Sequence, residues 1–221
     1  KDCDYANRHA ALQRDGALPF NAGSMMHREC DSHGTTAYHV QKRIDIQGTG
    51  AVCDGDTIVV ELQNIITGEF RGKQYIKPDG SKKFTPKLNK EGTGAYIGAE
   101  TDLLYVTEGW ADAVIVNKAT GKQVLFALDA SNIPKTANIL RNTDREFIVA
   151  ADNDKAGIEA AQAAGAPFVV PTSGKDWWEV FDAHGITRVK QELLGITSSA
   201  TLQLFDHVLD ISLEPPKWLI E

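Results

Sequence analysis

The chain has 221 residues, 42% of them hydrophobic and 24% charged, enough to bury one sizeable core or two small ones. Its net charge is −7 and no apolar run approaches the roughly 18 residues of a membrane span, which excludes a membrane partner and points to a cytoplasmic protein. Cys3, Cys30 and Cys53 form neither an even framework nor a CxxC pair, as suits a reducing compartment.

The start, Lys1-Asp2-Cys3-Asp4-Tyr5, has neither an initiator Met nor a signal-peptide core, and reads as that of an internal fragment or processed chain. A helix is expected near Tyr5–Arg14, then a Gly/Pro-punctuated connection around Gly16–Gly23. His27, Cys30 and His33, with Cys3 and His9 upstream, are residue types of a zinc site, at a spacing that matches no familiar ribbon or finger. From Thr35 to Ile97 the pattern changes to short β-rich pieces. Thr57–Leu62 and Phe70–Ile76 read as antiparallel strands joined through Thr67-Gly68-Glu69, and Pro78-Asp79-Gly80-Ser81 as a turn leading to Lys82–Lys87. Gly92-Thr93-Gly94 superficially suggests a dinucleotide fingerprint, but no apolar strand feeds it and no amphipathic helix follows.

Beyond Gly98, strand and helix alternate. Leu103–Thr107, Val124–Leu128, Phe147–Ala151 and Phe168–Val170 are expected strands; Ala111–Ala119, a stretch within Pro134–Arg141, Ala156–Ala164 and Asp176–Ala183 are expected helices. That succession predicts an α/β fold, a mostly parallel, helix-covered sheet with right-handed crossovers. A smaller mixed α+β basic subdomain over 1–98 precedes this unit at 99–195, and 196–221, with Pro215-Pro216, reads as a tail or linker.

The organising stretch is Phe147-Ile148-Val149-Ala150-Ala151-Asp152-Asn153-Asp154-Lys155-Ala156-Gly157, an apolar strand delivering two acids to a sheet edge. Asp152 and Asp154 are two apart and would share a face in extended geometry. Strand C-terminal ends are where open α/β sheets bind ligands, and Mg²⁺ favours one or two carboxylates completed by water and phosphate. An N-cap with an acidic first turn is the alternative use of the same residues. A calcium loop is excluded, since its fifth and twelfth positions would be Ala156 and Ala163. Glu108 follows the first of these strands, and Asp176 follows the fourth within Ser173-Gly174-Lys175-Asp176-Trp177-Trp178-Glu179, so acids far apart in sequence meet on one rim. A helix N-terminal acid and an N-cap are the corresponding plain readings of Glu108 and Asp176.

Charge is unevenly spread: residues 1–98 carry 13 Lys+Arg against 12 Asp+Glu, and 99–221 carry 10 against 18. Within 71–90 seven basic residues accompany a single acid, Asp79. Arg71, Lys73, Lys77, Lys82 and Lys83 form either a solvated hairpin face or a phosphate-facing ridge, with Tyr75 and Phe84 as candidates for base stacking. An acidic unit beside a basic one is a pattern available to metal-dependent phosphate chemistry.

Glu108 after the first strand, Asp152-x-Asp154 after the third and Lys175-Asp176 later in the chain together resemble the TOPRIM domain of DnaG-type primases, topoisomerases and some nucleases and repair proteins, over about 103–183. Ala37–Ile44, the hairpin ending Ile76–Phe84 and Gly94–Gly98 look like the region preceding TOPRIM in plasmid and phage primases. Where primases often carry a further acid this chain has Trp177-Trp178-Glu179, so Glu179 is a weaker match. The resemblance implies a DNA primase catalytic core that makes short RNA primers from nucleoside triphosphates on single-stranded DNA. It implies Mg²⁺ or Mn²⁺ at Asp152, Asp154, Asp176 and Glu108, with Glu108 as ligand or general base, and a replicative or fused helicase as partner. Lys73, Lys77, Lys82, Lys83, Arg71 and Lys175 would meet triphosphate or template, although Lys175 could instead neutralise the acidic rim. The alternatives are TOPRIM-type DNA cleavage, which in a topoisomerase needs a nucleophilic Tyr with no local signature here, and a non-catalytic single-strand-binding or helicase-associated module.

Overall fold

The computed structural model describes residues 35–195. The helix expected near Tyr5–Arg14, the zinc-type residues upstream of Thr35 and the 196–221 tail lie outside the described residues. The elements in order are α1 (Ala37–Lys42), β1 (Ala51–Asp54), β2 (Thr57–Asn64), β3 (Phe70–Ile76), β4 (Lys82–Phe84), β5 (Thr93–Ile97), β6 (Leu103–Thr107), α2 (Trp110–Thr120), β7 (Gln123–Phe126), a 3₁₀ turn (Ala130–Asn132), α3 (Ile133–Leu140), β8 (Glu146–Ala150), α4 (Lys155–Ala164), β9 (Phe168–Val169) and α5 (Trp177–His184). The chain is helical again over 186–195.

One nine-stranded sheet runs through the molecule in the order β4-β3-β2-β5-β7-β6-β8-β9, with β1 off this path, paired to residues 57–60 of β2 where β5 pairs residues 63–64. The strands β7, β6, β8 and β9 are mutually parallel. The hairpin strands are antiparallel and join this half through β5, which pairs with β2 on one side and β7 on the other. No break in the sheet separates the basic hairpin from the acidic half. Gly94 makes that junction possible: a Cβ there would stand 2.7 Å from Leu125 Cδ1 and 2.8 Å from the Phe126 carbonyl oxygen. The glycines read against a dinucleotide loop thus belong to a strand start.

Period-2 alternation sends Tyr105, Val124, Phe126, Ile148 and Ala150 to one face, against α2, α5 and the 186–195 helix. Leu104, Val106, Leu125, Val149 and Ala151 go to the other, against α3 and α4. Trp110 and Trp177 are fully buried on the first face. Each removes on the order of 200 Å² from water, about 5 kcal/mol before the cost of ordering the chain. Every residue of α2 from Trp110 to Val116 is buried, because the helix lies between the sheet, α5 and the 37–44 segment. A fully apolar helix would satisfy that environment; this one carries Asp112.

Candidate active site

The parallel strands end on one rim, and four of the loops beyond it carry acids. β6 runs into Glu108, and Gly109 then caps α2 in extended geometry. β7 is followed by Asp129, whose carboxylate takes hydrogen bonds from Asn132 N and Ser131 Oγ and an ion pair from Lys90 Nζ at 2.6 Å. β8 ends at Ala150, so Asp152 and Asp154 lie in the loop rather than on the strand. Asp154 caps α4, its Oδ1 accepting from Gly157 N at 2.8 Å. Asp176 caps α5 in the same manner, accepting from Glu179 N at 2.6 Å. The capping use of these two acids is therefore real, but it engages only Oδ1 of each.

Two backbone contacts fix the Asp152 loop. Asn153 N–H donates to the Lys175 carbonyl at 2.7 Å, tying the third acidic segment to the fourth. Gly157 lies so close beneath that a Cβ would stand 2.5 Å from the Asp152 carbonyl oxygen. The Lys175 loop is anchored from behind by Glu192, which accepts from Thr172 N at 2.7 Å and Ser173 Oγ at 2.6 Å and pairs with Arg188. Those partners hold the Glu192 carboxyl down at about 2 despite its burial.

Glu108, Asp112, Asp152 and Asp176 line one cleft of about 580 Å³ together with Tyr38, Lys42, Lys82 and Trp178. Asp112 was not singled out from sequence. It is buried on the first turn of α2, where Oδ1 accepts from Trp178 N at 3.0 Å. Burial first, and Asp176 second, push its carboxyl up to about 6, against the pull of Lys82 and Lys42. Asp152 is pushed further, to about 8, by burial and then by Asp112, Glu108, Asp176 and Asp154; its Oδ1 is buried with no hydrogen-bond partner. Burial also raises Glu108. Tyr38 is held at about 12 by burial and by Asp112 and Asp176, so its phenol stays neutral.

The lysine ridge divides. Arg71, Lys73, Tyr75 and Lys83 share one sheet face, where Lys73 pairs with Glu61 at 3.5 Å, while Lys82 and Phe84 share the other with Ile76 and Gln74. Lys77 Nζ donates to Thr57 Oγ1 at 3.2 Å. Only Lys82 among them lines the cleft, near enough to the β6 end that a Cβ on Gly109 would stand 3.3 Å from its Nζ and 3.5 Å from Asp112 Oδ2. Phe84 packs against the core beneath Lys90, 4.4 Å from its ring centroid, and Lys175 is exposed outside the cleft.

The stretch that carries the first of these acids has a match among known families. Residues 102–173 match the Toprim-domain family model. The chain is also 30% identical over 136 residues to a DNA primase TraC of Escherichia coli, an alignment covering 56% of this chain and 13% of that protein. A second DNA primase TraC of Escherichia coli is 34% identical over 89 residues, covering 37% of this chain and 6% of that protein. The chain thus spans a small fraction of the curated relatives it matches. In fold it is similar to the primase fragment of the bacteriophage T7 primase-helicase protein, with TM-score 0.54 and 19% identity over 70% of this chain and 72% of the fragment. It is similar also to the DnaG catalytic core, with TM-score 0.52 and 15% identity over 91% of this chain and 76% of that core. The mixed sheet with flanking helices is accordingly the α/β fold of these primase cores, with a Toprim-type unit carrying Glu108, Asp112, Asp152 and Asp154.

Among the described residues no three His, Cys, Asp or Glu side chains stand close enough together to hold a metal ion as placed. Of the expected acids Glu108, Asp152 and Asp176 share the cleft, whereas Asp154 is not among its lining residues and caps α4, so the four do not form a closed ligand set. The donor chemistry still fits a hard divalent cation. All donors are carboxylate oxygens, and Asp152 Oδ1 is buried, unpaired and surrounded by like charge.

Proposed function

We propose that this chain is the catalytic core of a DNA primase, joining nucleoside triphosphates into short RNA primers on a single-stranded DNA template. One observation carries the reading: carboxylates from three separate loops and one helix share a single cleft with Lys82, on the fold of primase cores. Glu108, Asp152 and Asp154, with Asp176 beside them, would hold Mg²⁺ or Mn²⁺. When bound, such a cation supplies charge neutralisation at the transferring phosphate and lowers the pKa of an attacking hydroxyl.

The chain's own groups do the rest. Lys82 lines the cleft beside Gly109 and Asp112 and binds the triphosphate there. Arg71, Lys73, Lys77 and Lys83 lie on or at the end of the hairpin and Lys175 beyond the acidic loops, where they meet template backbone. Glu108, raised by burial, has two roles open to it, cation ligand or acceptor of the 3′-hydroxyl proton. A basic, template-binding first unit at 1–98, a catalytic unit at 99–195 and a 196–221 connection toward a helicase, in a cytoplasmic replication protein, complete the proposal. Among the described residues no helix is long and apolar enough to cross a membrane.

The test is incorporation of labelled nucleotide on mixed single-stranded DNA with Mg²⁺ or Mn²⁺, with and without a pre-annealed primer. The expected result is metal-dependent product that is lost in Asp152→Ala. Equal product from both proteins would overturn the assignment; a covalent protein–DNA adduct would favour DNA cleavage; and binding without incorporation in any metal would favour a non-catalytic module.

A further inference from the structure

Most of the side chains that line the cleft are charged: Lys42, Lys82 and five carboxylates. Three carry neutral hydrogen-bonding groups, Tyr38, Gln41 and Trp178. The Trp178 indole N–H is already engaged, donating to the Lys42 carbonyl at 2.9 Å. The Tyr38 hydroxyl and the Gln41 amide have no hydrogen-bond partner among the described residues. Gln41 is exposed. Tyr38 is only 7% exposed, yet its hydroxyl is not among the unpaired atoms sealed from solvent; it opens where this side chain lines the cleft.

The backbone under both groups is fixed. The Tyr38 ring packs against the 78–81 turn, where a Cβ on Gly80 would stand 3.5 Å from Tyr38 Cε2, and against Trp110, with ring centroids 6.5 Å apart. At the start of α1, Thr36 and His39 close a capping box, and Ala37 N–H donates to Asp56 Oδ1 at 2.8 Å. At its end the Lys42 ammonium lies 3.2 Å from the centroid of the Trp178 ring, so one indole holds both the carbonyl and the charged tip of this lysine. Arg43 follows in a left-handed conformation, φ 53°, its Nη2 donating to the Asp182 carbonyl at 2.7 Å and to the Asp182 carboxylate. Tyr38 and Gln41 are three residues apart on this anchored helix and so share a face. Burial holds the Tyr38 phenol up at about 12, which leaves it a neutral donor rather than a nucleophile.

A nucleoside triphosphate carries its charge on the phosphates, which lysines and cations meet, and its neutral polar groups on sugar and base. Synthesis on a template takes each base as the template dictates, so a fixed pair of neutral side chains suits the part common to all four nucleotides, the sugar. We infer that Tyr38 and Gln41 hydrogen-bond the ribose hydroxyls of the incoming nucleotide and set a preference for ribo- over deoxyribonucleotides. This rests on the primer-synthesis reading above and deepens it, by assigning what selects the sugar. A deoxy-sugar would leave the Tyr38 hydroxyl, on a side chain already largely out of water, without a partner, and a site built to hydrogen-bond a hydroxyl rejects the analogue that lacks it.

The test is single-nucleotide extension of a pre-annealed primer by the full chain with Mn²⁺, comparing kcat/KM for each ribonucleotide with that for its 2′-deoxy counterpart. The wild-type ratio is expected to be at least about a hundredfold, and Tyr38→Phe, which keeps the ring and removes only the hydroxyl, to lower it about tenfold. Gln41→Leu, at an exposed position, is expected to lower it in the same sense, which keeps the inference testable should Tyr38→Phe fold poorly. Val40→Ala, on the same helix but outside the cleft, is expected to keep the wild-type ratio. Ribo and deoxy rates that fall together in Tyr38→Phe and Gln41→Leu, or a ratio altered for one base only, overturn the inference and leave the primer-synthesis reading standing. Wild-type protein that extends the primer with neither sugar overturns both.

Discussion

Asp152 offers the sharpest test of the site, because its charge state links folding to pH without reference to catalysis. Its carboxyl is pushed up to about 8 in the folded, metal-free chain, against about 3.9 for an unperturbed aspartate. Between those values the folded state holds a proton that the unfolded state has released, so stability must fall as pH rises, beginning near pH 4 and levelling off above pH 8. A difference of roughly four units at about 1.4 kcal/mol each sets a ceiling near 5 kcal/mol. Asp152→Asn removes the ionisation but puts an amide NH₂, with one more donor to satisfy, where the protonated acid has a hydroxyl, a cost of about 1–3 kcal/mol. The variant should therefore be more stable than wild type by about 2–4 kcal/mol at pH 9, and no more stable than wild type near pH 4. Urea unfolding in the presence of chelator at pH 4, 7 and 9 measures this directly. Adding Mg²⁺ at a hundredfold excess over its Kd should return about 2.7 kcal/mol to wild type at high pH, with little return in the variant. Unfolding free energies that run parallel for the two proteins from pH 4 to pH 9 would refute the argument that like charge crowds this carboxylate.

Substitutions at three other positions separate structural from functional roles. Asp154→Ala should cost about 1 kcal/mol by uncapping α4, whereas Asp154→Asn keeps an acceptor for Gly157 N and should hold its melting temperature while losing nucleotide incorporation; loss of activity only in step with stability would reduce Asp154 to a cap. Gly157→Ala should cost about 2–3 kcal/mol, because the new methyl meets the Asp152 carbonyl at 2.5 Å and the loop must move, and it should weaken Mn²⁺ binding although it adds no charge. Glu192→Gln should destabilise by about 2–3 kcal/mol at pH 7. Since the Glu192 pKa is lowered to about 2, that contribution is fully present above the unfolded value near 4.3 and is lost as pH falls through about 2, so denaturation curves of the two proteins should converge at low pH.

The alternation of strand and helix after Gly98 could be read from sequence because each element there is internally consistent. Leu103–Val106 is an unbroken hydrophobic run, as suits a strand covered on both faces, and Gly121 and Gly165 stop their helices with left-handed caps. The β2–β3 hairpin was visible from its turn residues for the same reason. Asp112 was not, since a lone acid in the first turn of a helix ordinarily marks the dipole. The available signal was its company: Trp110-Ala111-Asp112-Ala113-Val114-Ile115-Val116 has no other polar residue, and a helix apolar on every side is a buried one. The division of the lysines was also within reach, because adjacent residues on a strand point to opposite faces and Lys82 could not share a face with Lys83. Lys42 could not have been found this way. Its environment is made by Trp178, 136 residues further on, and no local pattern encodes that contact.

Capping and ligation at the acidic loops need not be rival readings of Asp154 and Asp176. A cap fixes Oδ1 on a backbone N–H and thereby orients the second oxygen of the same carboxylate. Both acids sit where a strand has just ended and a helix is beginning, so the fold that requires a cap also delivers a carboxylate to the rim. Asp152 has no such duty. It is placed entirely by its neighbours, through Gly157 beneath it and the Asn153–Lys175 hydrogen bond beside it, and it is the member of the set with a buried oxygen left unpaired. A residue that the fold positions at a cost in stability, and that serves no element of the fold, is the one whose loss should weaken ion binding most while relieving the folded chain at high pH rather than destabilising it.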